Sequence, residues 1–366
     1  MSREERVLLA GAFGQANPGD EALLAAFARA LPDHVHVAIS SDPAGTAATH
    51  GIEAVRHDNP LAVVRAIARA DAIVVAGGTV FKTLDPRSGR RPLSLLRRTA
   101  ALATVARVAR KPLAFVGVGA QTLRRPAARA LTRAIVRAPD LLVLRDEESA
   151  AALAAVGAAT PLRVGADAAW TLFPDPAPAP PTGPLVVALS HLAGGPGLGA
   201  WLAEALRPVV AHGVPVRLDP WQPGHDCALA AEVAKKLENV EITQPPGDLQ
   251  AARASLVGAR SVVCLRFHAL IAAASAGAPA VAVAHELKLA GLARRLGQPA
   301  VSPEAPPAAL SAAFGTAVAA APDAVRQERA RAEDAFRLLR VLLARGRSEE
   351  AAHVDGLALR PEEWLG

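Results

Sequence analysis

Short apolar runs rich in β-branched residues alternate along the chain with longer Ala-, Leu- and Arg-rich stretches of helical period. The runs predict strands over residues 7–10, 35–39, 72–76, 113–118 and 141–144. After a break they predict strands over 185–189, 214–218, 240–242, 261–265 and 280–284. Between them the pattern predicts helices over 20–31, 60–70, 92–110, 146–155, 200–212, 250–258 and 287–296. Asn59 is placed to cap the second of these, with Pro60 at its first position. Strand–helix alternation of this kind implies parallel sheets with helices on both faces.

The break is the segment PDPAPAPPTGP, residues 174–184, which suits neither a helix nor a central strand and reads as a semi-rigid linker. It separates a first α/β domain, 1–173, from a second, 185–321. A helix over 322–345 and a charged tail complete the last segment, 322–366. One stretch, 267–284, is apolar enough to mimic a membrane span. His268 opens it, and Gly277 and Pro279 divide it into a helix and a strand. The first residues, MSREERVLLAGAFG, read as a strand and not as a signal peptide.

Composition narrows the function. Of 366 residues 51% are hydrophobic and 20% charged, enough to build large cores. Aromatics are 3% and Tyr is absent, which argues against stacking platforms for single-stranded nucleic acid. The net charge is +6, and pairs such as Arg97-Arg98, Arg124-Arg125 and Arg294-Arg295 read as solvated helix faces, so no nucleic-acid partner is expected. Cys227 and Cys264 lack metal-site or disulfide spacing. The chain reads as cytoplasmic.

Ligands of doubly wound sheets sit beyond the carboxyl ends of the strands. After the first strand comes GAFGQANPGDEALL, 11–24, where Gly14 allows a tight turn and the spacing departs from a dinucleotide fingerprint. Asp20 either caps the following helix or, with Asn17 and Glu21, presents acceptors to hydroxyl groups. Gly77-Gly78 and GVGAQ, 117–121, bring bare backbone to the same edge. Arg145, after the fifth strand, suits an ion pair or an anion equally. In the second half Arg266, His268 and Lys288 follow neighbouring late strands, a cation set matching phosphate or carboxylate.

These segments, with AGGTVF (76–81), LRDEESAAAL, GADAAW (165–170) and RFHALIAAASAGAPAVAVAHELK (266–288), stand in the order seen in polysaccharide pyruvyl transferases. The chain resembles that family over nearly its whole length outside the tail, and most of all its bacterial cell-wall branch. The resemblance implies an α/β fold similar to glycosyltransferase-B, two doubly wound Rossmann-like domains facing across a cleft. It implies phosphoenolpyruvate as co-substrate and a pyruvate ketal on two hydroxyls of a polysaccharide or lipid-linked saccharide. No other cofactor and no metal are expected. Position by position, the resemblance puts Arg266, His268 and Lys288 on the family's basic donor site and Asn17, Asp20 and Glu21 on its N-terminal motif. The chemistry then expects His268 and Asp20 as catalytic residues, and the strand-end placement adds Arg145 to the donor site and Gly14, Gly77 and Gly78 to the acceptor side with Asn17 and Glu21. Ser190-His191 and His285-Glu286 depart from the family pattern. The alternative is a glycosyltransferase using a nucleotide-sugar. A lipid-linked acceptor would place the chain at the inner face of the membrane, in peripheral contact with it and without an integral segment.

Overall fold

The computed structural model describes residues 4–84, 89–158, 162–176 and 179–345. Part of the linker (177–178) and the tail (346–366) lie outside the described residues. The first half runs β1 (Arg6–Phe13), α1 (Pro18–Ala30), β2 (Val35–Ser40), α2 (Pro43–His50), β3 (Glu53–Arg56), α3 (Pro60–Arg69), β4 (Ala72–Ala76), β5 (Thr79–Phe81), α4 (Ser94–Val108), β6 (Leu113–Ala120), α5 (Pro126–Ile135), β7 (Leu141–Leu144), α6 (Glu147–Ala154) and β8 (Arg163–Val164). The second runs β9 (Leu185–Leu189), α7 (Leu198–Ala211), β10 (Val216–Pro220), α8 (His225–Ala234), β11 (Val240–Ile242), α9 (Leu249–Leu256), β12 (Ser261–Cys264), α10 (Phe267–Ser275), β13 (Ala280–Val283), α11 (Leu287–Arg295), β14 (Ala300–Val301), α12 (Pro307–Phe314) and α13 (Pro322–Arg345).

Both sheets are parallel throughout. The first has the order β3-β2-β1-β4-β6-β7-β8, with β5 on β6; the second has the order β11-β10-β9-β12-β13-β14. Each sheet reverses its winding between its first strand and the next strand inward, β1/β4 and β9/β12, which opens a crevice at the carboxyl ends of those strands. Among the described residues, no helix is long and apolar enough to cross a membrane. The stretch from 267 folds instead as α10 and β13.

Two apolar layers hold the first sheet. Side chains of α3, α4, α5 and α6 pack on one face, and α1 with α13 on the other. The last helix therefore returns to the first sheet after the second is complete. Phe336 meets Phe27 edge to face at 4.9 Å, and Arg340 donates to the Ala30 carbonyl. A further cluster crosses between the halves. Ala22 of α1 and Trp170, on the short 3-10 turn Ala168–Leu172, share a core with Leu249, Phe267 and Leu270 of the second half. Burying such side chains is worth roughly 1.5–3 kcal/mol each, so the domains are joined by a dry seam as well as by the linker.

Candidate active site

The cleft is built from strand ends of both sheets. Asn17, not Asp20, caps α1: its Oδ1 accepts from the Gly19 amide at 3.2 Å, and Pro18 takes the first helical position. That leaves Asp20 in the first turn, where Asn17 Nδ2 donates to its Oδ2 at 2.6 Å. Burial pushes the Asp20 carboxyl above its ordinary range, against the opposing pull of His268, the Asn17 hydrogen bond, Lys82 and Lys288. Asp20 is thus a carboxylate of enhanced basicity held in the cleft.

His268 lies in the first turn of α10 and faces Asp20 from the second domain. Its ring packs on Gly19, where a β-carbon would lie 2.0 Å from Nδ1. Its other nitrogen, Nε2, lies 3.5 Å from Oδ2 of Asp167, which is wholly buried at the start of the 3-10 turn. Burial alone would raise the Asp167 carboxyl. The charge of the His268 ring beside it, with that of Arg145 and the hydrogen bond from the Ala169 amide, reverses this and holds it low.

Two lysines complete the cluster. Lys82 follows β5; burial lowers its ammonium pKa and Lys288 lowers it further, while Glu286 and Asp20 oppose them. Lys288 Nζ lies 2.5 Å from Oε2 of Glu286, whose Oε1 accepts from Gln121 Nε2 of the first domain at 2.9 Å. Burial would raise the Glu286 carboxyl, yet the Lys288 charge and hydrogen bond bring it down to about 2. Gly77 and Gly78, both with positive φ, turn the chain from β4 toward Lys82. The Gly77 α-carbon lies so near α1 that a β-carbon would fall 2.9 Å from Leu23.

Three expected site residues are placed otherwise. Arg266, read as a donor ligand, is committed within its own domain: Nε donates to the Leu189 carbonyl, and Nη2 to Gln222 and Asp226. Asp226 is wholly buried and also accepts from the backbone and ring of His191, so Ser190-His191 serves this brace. Arg145 is in the ion-pair state, with Nε on Asp146 at 2.8 Å and its guanidinium 4.4 Å from the Phe267 ring centre. Its Nη2 has no hydrogen-bond partner. Glu21 does not face the cleft chemistry: one oxygen accepts from the Gly14 amide, the other lies 3.0 Å from His50 Nε2. It fixes the loop that presents Asn17.

Sequence reasoning passed over Lys82 and Asp167 as site residues. Lys82 carried a signal in being one of only five lysines in the chain, and Asp167 in lying within GADAAW. Among the described residues, no group of three His, Cys, Asp or Glu side chains gathers as a metal site. The cluster therefore offers a base-like carboxylate, a held imidazole and two lysines around one space, which suits an anionic substrate and proton transfer to or from it.

The polysaccharide pyruvyl transferase family profile matches residues 17–286. No curated protein matches the chain. Among solved structures it is similar to Anabaena HepE in complex with UDP-glucose, at 15% identity over 95% of this chain and 99% of that one, with a TM-score of 0.59. It is similar to the UDP-GlcNAc 2-epimerase of Methanocaldococcus jannaschii, at 12% identity over 93% and 99%, TM-score 0.61. It is also similar to Acinetobacter baumannii MurG, at 15% identity over 92% and 99%, TM-score 0.51. At these identities the likeness is one of fold: two Rossmann-like domains facing across a cleft, as in glycosyltransferase-B enzymes and related epimerases.

Proposed function

The chain belongs to the polysaccharide pyruvyl transferase family, and from that premise we propose that it transfers pyruvyl from phosphoenolpyruvate to two hydroxyls of one sugar. The sugar belongs to a cell-wall or surface polysaccharide or its lipid-linked precursor, and the product is a pyruvate ketal. The reading rests above all on the apposition of Asp20 and His268 from opposite domains, with Lys82 and Lys288 beside them.

The residues divide the work by charge. Lys288 and Lys82 meet the carboxylate and phosphate of the donor. His268 delivers a proton to the methylene carbon, which becomes the methyl group. Asp20 receives the proton of the first attacking hydroxyl as its oxygen bonds to C2. The C2–phosphate oxygen bond breaks, the second hydroxyl closes the ring, and its proton leaves with the phosphate. Two hydroxyl protons are thereby balanced by one methyl hydrogen and one hydrogen phosphate. Each proton-transfer role is worth roughly 10²- to 10⁴-fold in rate. No step calls for a metal or a further cofactor, and work on a lipid-linked acceptor places the chain at the cytoplasmic face of a membrane.

The rival, a nucleotide-sugar glycosyltransferase, draws on the shared fold. It wants a free carboxylate beyond a late strand for the ribose, and the one so placed, Glu286, is occupied by Lys288 and Gln121. The test is incubation with phosphoenolpyruvate and a panel of lipid-linked or aryl amino-sugar disaccharides, with phosphate release and the ketal methyl resonance as readouts. Phosphate release and a new methyl signal are expected together. Turnover of UDP- or GDP-sugars with none of phosphoenolpyruvate would replace this reading with the rival.

A further inference from the structure

Charge is distributed unevenly over the chain. From Pro60, where α3 begins, to Asp140, just before β7, there are 16 Lys and Arg against 3 Asp and Glu, a net +13. The rest of the chain holds 24 basic and 31 acidic residues, a net −7. In sequence the arginines look like isolated pairs. The fold gathers them, because α3, α4 and α5 are successive crossovers covering one face of the first sheet. Arg65, Arg69, Arg97, Arg98, Arg124 and Arg125 are all exposed there. Among the described residues none of these six pairs with a carboxylate.

We propose that this three-helix face docks on an anionic lipid surface. It gives a specific face to the membrane contact, and its charge argument does not depend on the reaction. Large apolar side chains stand out between the arginines: Leu61 and Val64 on α3 are 58% and 46% exposed, and Val108 on α4 is 80% exposed. Arginines that reach headgroup phosphates, interleaved with apolar side chains that enter the acyl boundary, are the pattern of an interfacial helix face. Nucleic acid fits less well, because the segment's two aromatics, Phe81 and Phe115, are buried and leave no ring to stack on. The face is roughly 20 Å across, from the rise of a 15-residue helix and the spacing of its neighbours, too broad for one small anion. Arg97-Arg98 in the first turns of α4 and Arg124-Arg125 just before α5 stand at the helix ends nearest the cleft, because each helix follows the carboxyl end of a strand, β5 and β6, on the cleft side of the sheet. A surface bound here lies beside the cleft mouth.

The test is co-sedimentation of the intact chain with phosphatidylglycerol–phosphatidylcholine vesicles and with pure phosphatidylcholine vesicles, at low salt and at about 0.5 M salt. Arg65, Arg69, Arg97 and Arg98 are changed together to Glu, and in a milder variant to Gln. A control changes the exposed Arg207 and Arg260 of the second domain to Glu. The expected result is salt-reversible binding to the anionic vesicles alone, weakened at least ~10-fold by the first set and unchanged in the control. The Gln variant should fall between, which keeps the test decisive where the Glu variant misfolds. Equal binding to both vesicle types, undiminished binding of a folded variant, or tighter retention by an oligonucleotide than by the vesicles would overturn the proposal.

Discussion

Gly19 and His268 meet across the cleft: the helix that carries Asp20 and the helix that carries His268 touch at a point where no β-carbon fits. One residue of the first domain thereby sets the distance between the two candidate catalytic groups. Gly19→Ala has no backbone obstacle, since Gly19 lies inside α1 and is absent from the residues with positive φ. It should displace the His268 ring, and a misplacement of about 1 Å lowers turnover by about 10²-fold. Steady-state kinetics with a melting curve checks this. Normal turnover in the variant would show that the ring position is not critical.

Asp20 and the helix cap are separable, because Asn17 does the capping. Asp20→Asn should lower turnover by at least ~10²-fold while phosphoenolpyruvate affinity holds. Asn17→Ala should remove about 1 kcal/mol of helix stability and release Asp20 from its hydrogen bond. Urea unfolding and single-turnover kinetics on both variants separate the two effects. Equal turnover in Asp20→Asn and the parent chain would remove Asp20 from the chemistry.

The raised carboxyl of Asp20 also has a signature in stability. An acid whose pKa is higher in the folded chain than in the unfolded one opposes folding when ionised. That cost is full above the folded value and vanishes as pH falls below the unfolded value near ~3.9. Asp20→Asn should therefore melt higher than the parent at neutral pH, with the gap closing below about pH 4. A pH series of melting curves reads it, and a gap that widened on acidification would contradict the raised pKa.

Much of this was legible in the sequence. The strands Ala72–Ala76, Leu141–Leu144, Leu185–Leu189 and Val240–Ile242 and the helix Pro322–Arg345 fall where the apolar runs and helical period place them. Several of the missed elements are short, on an edge or uncapped. Glu53–Arg56 is an edge strand with charged ends, Arg163–Val164 is two residues long, and Pro126–Ile135 and His225–Ala234 begin without a side-chain cap. The site divides in the same way. Asp20, His268 and Lys288 follow strands closely and could be read locally. Lys82 and Asp167 draw their meaning from groups some 100 to 200 positions away, for which no local spacing exists. The partner of Arg266 was not legible, because Asp226, 40 residues earlier, lies on a helix that the pattern did not announce.

Asp167 should act as a positioning residue for His268. Asp167→Asn keeps the shape but removes the anionic partner of the ring when it carries both protons. Turnover should fall ~10-fold or more in kcat, with the KM for the donor unchanged. Donor affinity should hold. A lowered melting point with an unchanged kcat would assign Asp167 to packing alone.

A charged network also joins the domains. Arg295 of α11 lies 3.2 Å from Glu147 and 3.1 Å from Glu148, both on α6 of the first domain, and 2.8 Å from Glu328 on α13. Glu328 is buried and Glu148 nearly so, so removing Arg295 strips a cation from carboxylates with little access to water. Arg294 binds the same Glu148 at 2.6 Å, but its side chain is 69% exposed. Arg295→Ala should therefore cost about 3 kcal/mol, whereas Arg294→Ala should stay within about 1 kcal/mol. Because the network bridges the domains on one flank of the cleft, Arg295→Ala should also enlarge the free protein in small-angle scattering. Saturating donor and acceptor should then draw it back. Equal destabilisation by the two variants would mean that α11 is held by the apolar seam, and that these charges merely decorate it.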